Sequence, residues 1–408
     1  MKFPFSLPWP GRGSGQEAVA GSAFFAKSWG AVLALGGDGS RPVRERGYAA
    51  LARDGFMGNP VAHRSVRLIA EAAASVPWLL RAAGREVSAH DVLALLAAPN
   101  ARSGGSEFLE TLYGQLMLAG NAYLLPVRIG ERLVELHLLR PDRVRVIAGA
   151  DGWPEFYEYR AGGRMRRYPA TGEDGLLHLK LFHPLDDHAG FAPLAAAATA
   201  LDLSNCATEW NRALIDNSAR PSGALVYQPK EGGNLTPEQY ERLKAELVEN
   251  YSGPARAGRP MLLEGGLDWK AMALSPREMD FFEAKNGAAR DIALALGVPP
   301  LLLGLPGDNT YANYAEANRA FWRLTVLPLI ARTASSLSAW FSALYGEALE
   351  LTHDLDQVPG LALEREALWA RINEATFLTD AEKREAVGYD GNGGGSGSDV
   401  PTSDEGRR

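Results

Sequence analysis

Apolar positions along the chain change their period several times. In Asn59 to Ser75, NPVAHRSVRLIAEAAAS, apolar or small residues recur at Val61, Ser65/Val66, Ile69 and Ala73. That three-and-four step predicts an amphipathic helix, closed by Pro77. Ser106 to Leu118 repeats it, with Phe108, Leu109, Leu112 and Leu116 on one face. The pattern then shortens. NAYLLPVRI, LVELHLL, RVRVI, EFYEYR and LLHLKLF are short β-branched or aromatic runs bounded by Gly, Pro and Asp, and predict strands. The first third therefore reads as α+β.

Helical spacing returns from Pro193 to about Asn217 and stops before Pro221. SGALVYQP predicts a short strand. In Thr236-Pro237-Glu238-Gln239 a capping box with proline at the first helical position launches a helix to about Tyr251. RPMLLEGGLDWKAMA predicts a second strand pair, and Ser275-Pro276-Arg277-Glu278 caps a helix to Leu296 with Phe281, Phe282, Ala289, Ile292 and Leu296 as its stripe. Two long helices thus bracket a small α/β insert of about fifty residues.

From Asn313 to about Leu344, Trp322, Val326, Ile330, Leu337, Trp340 and Leu344 step at three and four, and Phe321, Leu324 and Leu327 form a second stripe. This spacing makes packing the expected role of both tryptophans. At 1.5 Å per residue the helix spans ~45 Å, and Pro328 removes a backbone donor and should kink it. A last helix pair is expected in LEREALWARINEATFLTDAEKREAVG, its second member capped by Thr379-Asp380-Ala381-Glu382. The Gly-, Pro- and Arg-punctuated start, to about residue 54, reads as a mobile arm, and the Gly/Ser-rich end from Gly388 as a disordered tail.

Length and charge narrow the classes. At 408 residues, two to four compact units are expected, and 46% hydrophobic with 22% charged residues is a globular composition. A net charge of -7 argues against gripping nucleic acid through the general field. The single cysteine, Cys206, excludes an internal disulfide, suits a reducing compartment and is expected to pack plainly in its alanine-rich helix. Prolines interrupt MKFPFSLPWPGRGSG, so no signal peptide is expected. No run approaches the ~18 apolar residues of a membrane span.

Motifs for catalysis are sparse. There is no G-x-x-x-x-G-K-[ST], G-x-S-x-G, H-E-x-x-H or C-x-x-C, and LPGDNTY lacks the lysine that would reach a phosphate. HLKLFHPLDDHAG places His178, His183 and His188 near Asp186 and Asp187, a donor set that could serve a metal-dependent hydrolase. A spacing of five is not one helix face, and a polar turn with satisfied histidines is the plainer reading. Lys230, Arg242, Lys244, Arg256, Arg259 and Lys270 sit among as many glutamates, which reads as a mixed-charge surface or a partner contact.

The order of segments resembles the portal proteins of tailed bacteriophages, of the long-tailed siphovirus type also found in phage-derived gene transfer agents. The similar stretches run from about Asn59 to Phe341, about 70% of the chain. They include NPVAHRSVRLIAEAAASVPW, GNAYLLP, LHLLRPDRV, the histidine turn through GFAPL, SARPSGAL, GVPPLLLG and YANYAEANRAFWRLTVLPLI. The resemblance implies an α+β portal fold: arm 1–54, wing 55–192, stem helix 193–219, α/β clip 220–274, stem helix and turn 275–304, tunnel loop 305–312, long kinked wing helix 313–350, crown 351–387 and tail 388–408. The crown is short for the family, and the arm does not match it.

It further implies a homo-oligomeric ring of about twelve subunits at one capsid vertex of a virion, assembled in the host cytoplasm. Double-stranded DNA would pass through the ring during packaging and ejection. Terminase large subunit, head-tail connector and major capsid protein would be its partners, with no membrane, no cofactor and no catalysis of its own. Asp308, Asn309, Thr310, Tyr311 and Asn313 would then face the DNA from the tunnel loop. Lys230, Arg242, Lys244, Arg256, Arg259 and Lys270 would meet partners at the clip.

Overall fold

The computed structural model describes residues 47–216, 223–227, 236–251, 267–271, 281–306 and 311–387. The first described element, α1, starts as one α turn, Tyr48–Ala50, and continues as a π segment, Leu51–Met57. Leu51 is 1% exposed, and a Cβ on Gly55 would stand 2.8 Å from Leu194. Residues 48–54, expected in a mobile arm, are therefore helical, and Leu51 among them is anchored in the core.

Helix α2, Pro60–Ala74, begins at Asn59, whose Oδ1 accepts from the N–H groups of Val61 and Ala62 at 3.0 and 3.1 Å. The same side chain donates to Ser204 Oγ and Asn205 Oδ1, and Asn205 donates to the Asp54 carbonyl. One buried amide thus caps α2 and joins it to a later helix, from which Asn205 reaches back to α1. The inward face of α2 holds Ser65, Val66, Ile69 and Ala73 of the stripe read from the sequence, with Ala62 buried where Val61 was expected and Val61 only half-buried.

Strands β1, Trp78–Ala82, and β2, Arg85–Val87, follow, then a short helix α3, Asp91–Ala97. Helix α4, Gly105–Ala119, buries Phe108, Leu109, Leu112 and Leu116 and stops at Gly120, whose φ of 68° suits glycine. Strands β3, Asn121–Ile129, β4, Arg132–Leu139, and β8, Leu177–Lys180, form one antiparallel sheet in the order β4-β3-β8. Strands β5, Val144–Ala148, β6, Pro154–Ala161, and β7, Arg164–Pro169, form another. A small second core of Tyr123, Leu139, Tyr157 and Leu176 lies between these two sheets.

The helix expected over 193–217 is two pieces: α5, Pro193–Ala196, and α6, Ala198–Asp216, broken at Ala197. Cys206 is exposed on α6, so the packing role expected for it is corrected. Strand β9, Gly223–Tyr227, pairs antiparallel with β10, Leu267–Ala271, and α7, Pro237–Tyr251, falls between them in sequence. The reciprocal bonds of the capping box are present: Gln239 N–H to Thr236 Oγ1 and Thr236 N–H to Gln239 Oε1. Helix α8, Phe281–Ala295, buries Ala289 and Ile292, with Leu296 just beyond it; the capping box at Ser275 lies outside the described residues.

The long apolar segment is one continuous run: α9, Tyr311–Phe321, a π segment, Trp322–Val326, and α10, Leu327–Tyr345. Pro328 sits in the first turn of α10, immediately after the π segment, where the Leu327 N–H bonds the Trp322 carbonyl five residues back. The missing proline donor is absorbed by this local widening. Trp322, Val326, Ile330 and Leu337 are buried as expected. Leu324 is 78% exposed, so the second stripe does not hold together.

Strand β11, Leu349–His353, pairs with β1 from Trp78↔His353 to Ala82↔Leu349. A crown beginning at 351 is therefore corrected: residues 351–353 lie in a sheet with β1, and Val358 and Leu361 are buried in the main core. Helices α11, Ala362–Glu374, and α12, Asp380–Ala386, are the expected pair, and the Thr379/Glu382 capping box is formed. Among the described residues no helix is long and apolar enough to cross a membrane.

Candidate functional site

Asp308, Asn309 and Thr310, the centre of the expected tunnel loop, lie outside the described residues. Tyr311 is the first residue of α9, and Asn313 is exposed in its first turn. What the structure describes is the frame on which that loop hangs. After α8 the chain turns at Gly297 with φ 67°, and Val298 is buried with its N–H on the Ala293 carbonyl at 2.9 Å. A 3-10 turn, Pro300–Leu303, ends at Gly304, also left-handed.

Two side chains fix this turn from outside. Thr325, in the π segment, donates its hydroxyl to the Gly297 carbonyl at 2.6 Å. Arg290 of α8 donates to the Pro306 carbonyl at 2.5 Å. The loop thus leaves an anchored root and rejoins a helix within four residues. Farther along the helix the cations are paired: Arg319 with Glu316 and with Glu364 of α11 at 3.3 Å, Arg323 with Glu364 at 3.4 Å. The Arg319 hydrogen bond holds the Glu316 carboxyl below its ordinary range. Cations engaged in this way offer little to a passing phosphate.

Of the expected clip cations, Arg242 and Lys244 are exposed on α7, with Lys244 3.7 Å from Glu241. Two positions apart on a helix, they do not share a face. Lys270 falls in β10. Lys230, Arg256 and Arg259 lie outside the described residues.

The histidine segment is not a metal centre in its geometry. His178, on β8, stacks on Tyr123 at 4.3 Å. Its Nε2 is 2.8 Å from Asn121 Oδ1, and its Nδ1 is 3.4 Å from the Tyr157 hydroxyl. Burial, then the charges of Lys180 and His188, push its pKa down to about 3, so the ring is neutral. His183 Nδ1 accepts from the Leu185 N–H at 3.1 Å, and Asp186 Oδ1 accepts from His188 and Ala189 N–H at 2.7 and 2.9 Å. Those backbone bonds hold the Asp186 carboxyl low. His178 is thus spent on Asn121 and Tyr157, and His183 and Asp186 on backbone N–H groups of the turn, while the His188 Nδ1 is buried without a partner. Among the described residues no three His, Cys, Asp or Glu come together to hold a metal.

Asn121 is the residue that sequence reasoning missed. Its Oδ1 accepts from both His178 and the Gly190 N–H, and its Nδ2 donates to the Ala119 and Gly190 carbonyls. The signal was present in GNAYLLP: an amide directly after a helix-ending glycine.

The phage portal protein family matches residues 60–388 of the chain. A protein of Rickettsia bellii (strain RML369-C) is 40% identical over 339 residues, 82% of this chain and 88% of that one. The probable portal protein of Streptomyces phage phiC31 is 28% identical over 75% of this chain and 69% of its own length. Among solved structures, a chain from the neck of an empty gene transfer agent particle, computed with C6 symmetry, is 53% identical with a TM-score of 0.69, covering 89% of this chain and 99% of that one. The matching chain in the neck of the native particle, computed with C12 symmetry, is also 53% identical, with a TM-score of 0.66 over 88% and 99%.

Proposed function

The chain belongs to the phage portal protein family, and from that membership we propose that twelve copies close into a ring at one capsid vertex, the channel through which double-stranded DNA is packaged and ejected. The observation that carries the ring is the 53% identity to a chain in a neck of C12 symmetry, over nearly the whole of both chains. Closed rings built from one chain use heterologous contacts, in which two different patches of each subunit meet.

Within the ring we assign residues 305–312 to the channel wall, with Asp308, Asn309, Thr310, Tyr311 and Asn313 nearest the DNA. The anchored root at Gly297 and Pro306 supports this, since a loop that guides a moving duplex needs fixed ends. The insert with Lys230, Arg242, Lys244, Arg256, Arg259 and Lys270 is assigned to docking, first of terminase and then of the head-tail connector. The wing would meet the major capsid protein. The role is structural rather than catalytic, the particle is the place of action, and assembly occurs in the host cytoplasm.

Imaging tests this reading. Purified protein should form particles near twelve times the 43.9 kDa of one chain by mass photometry, and negative-stain views should show a closed ring with a hole wide enough for a duplex. A chain that stays monomeric at micromolar concentration would sink it.

A further inference from the structure

The turn between β8 and α5, residues 181–191, LFHPLDDHAGF, has no task in the reading above, yet it is built with care. Its base is locked: Leu181 N–H bonds the Gly120 carbonyl, and Gly190 N–H and carbonyl both bond the Asn121 amide. A Cβ on Gly190 would stand 2.0 Å from the Gly120 carbonyl oxygen, so the two backbones touch there. Lys180 donates to the Asp187 carbonyl, and Asp186 and His183 tie the interior as described.

This ordered turn holds apolar groups out into water. Leu185 is 91% exposed and Phe182 77% exposed, with exposed Pro184 between them. Ordering backbone costs conformational entropy at every residue, and doing so to display leucine and phenylalanine gains nothing in an isolated chain. A fixed apolar tip rimmed by polar groups is the anatomy of an interface. The turn itself carries Asp186 and Asp187 and no lysine or arginine; Lys180 and Arg332 border the hollow at its base. Two carboxylates on the tip disfavour a phosphate backbone as its partner.

The same chain carries a surface of the opposite kind. In β5-β6-β7 the register sets Arg145, Glu158 and Arg167 side by side, with Arg160 beside Met165. Arg145, Arg160, Met165 and Arg167 are exposed, whereas Glu158 is buried beneath the arginines, with Arg167 at 2.7 Å and Arg160 at 3.6 Å. Three cations on one carboxylate leave the face basic, and Met165 gives it an apolar element. Side chains alternate along a strand. Tyr157, adjacent to Glu158, packs on Tyr123 of β3 and His178 of β8, so the arginine face looks away from the sheet that bears the turn.

We propose that the 181–191 turn is a preformed knob that seats, in the ring, on the arginine face of the neighbouring copy. The inference rests on the ring reading. An acidic apolar knob and a basic apolar face, presented by one chain in different directions, are what a heterologous contact between copies requires.

Charge exchange in the full-length chain tests this. Phe182→Ser with Leu185→Ser should lower the ring population at least tenfold at fixed protein concentration by mass photometry, without changing the melting temperature of the separated monomer. Asp187→Arg and Arg160→Glu should each weaken assembly, and the two together should recover most of it. Phe377→Ser, an equally exposed apolar site on no part of this contact, should assemble as the parent does. Rings undiminished by the knob variant would overturn the proposal while leaving the portal reading standing. So would a double charge exchange no better than its singles, or rings that form normally yet fail to enter particles, which would give the knob to another protein. A parent chain that never leaves the monomer would remove both readings at once.

Discussion

Asn121 shows how one side chain can hold a turn that no secondary structure organises. All of its amide hydrogen-bonding is used on Ala119, Gly190 and His178. Asn121→Ala should therefore cost about 2–4 kcal/mol in urea denaturation, since it strands a buried N–H and an imidazole. His178 adds a pH term. Its folded pKa of about 3 lies below the unfolded 6.5, so the unfolded chain takes the proton first. Stability is full above pH 6.5 and falls by about 2 kcal/mol between pH 7 and 5. His178→Asn should flatten that part of the profile, and an unchanged slope would show that another group sets it. The three histidines drew attention in the sequence for metal chemistry. Nothing in their spacing told that an asparagine about sixty residues earlier engages the first, or that Asp186 would turn inward to backbone N–H groups.

At the level of elements, the described part of the turn after α8, from Gly297 to Pro306, is tightly determined. A Cβ on Gly297 would meet Thr325 Oγ1 at 2.7 Å, and φ there is 67°. Gly297→Ala should destabilise by about 1–2 kcal/mol through strain and displacement of the Thr325 bond. Thermal unfolding of the variant, with Thr325→Val as the companion, would separate the two contributions; no loss in either would mean the root is not fixed. Elements with local signals were legible in advance: the caps at Thr236 and Thr379, and the faces of α2 and α4. The strands β1 and β11 were not, because each is five residues long and its partner lies some 270 positions away. Strand β7 hid for another reason: in RMRRYP two arginines separate Met165 from Tyr168 and Pro169, so it shows no apolar alternation. The same long-range pairing moved the crown boundary, since nothing within residues 351–353 says that Trp78–Ala82 is waiting beside them.

For the assembled ring, charge decides how DNA is treated. Each chain brings -7, and a ring of twelve multiplies that excess, which opposes the counterion release that makes duplex binding tight. Farther along the helix Arg319 and Arg323 are held by Glu316 and Glu364, whereas Arg290 at the loop root donates to the uncharged Pro306 carbonyl. The loop itself, PGDNTY, has no lysine or arginine. A duplex should then slide past these residues without being gripped. Replacing Asp308, Asn309 and Thr310 by lysine would place up to thirty-six new cations on a twelve-subunit channel. Each phosphate they neutralise steepens the salt dependence of binding by about one unit in log-log slope. Packaging by such particles should slow at low salt and recover as salt rises. A rate that does not change at any salt concentration would mean these residues do not face the DNA.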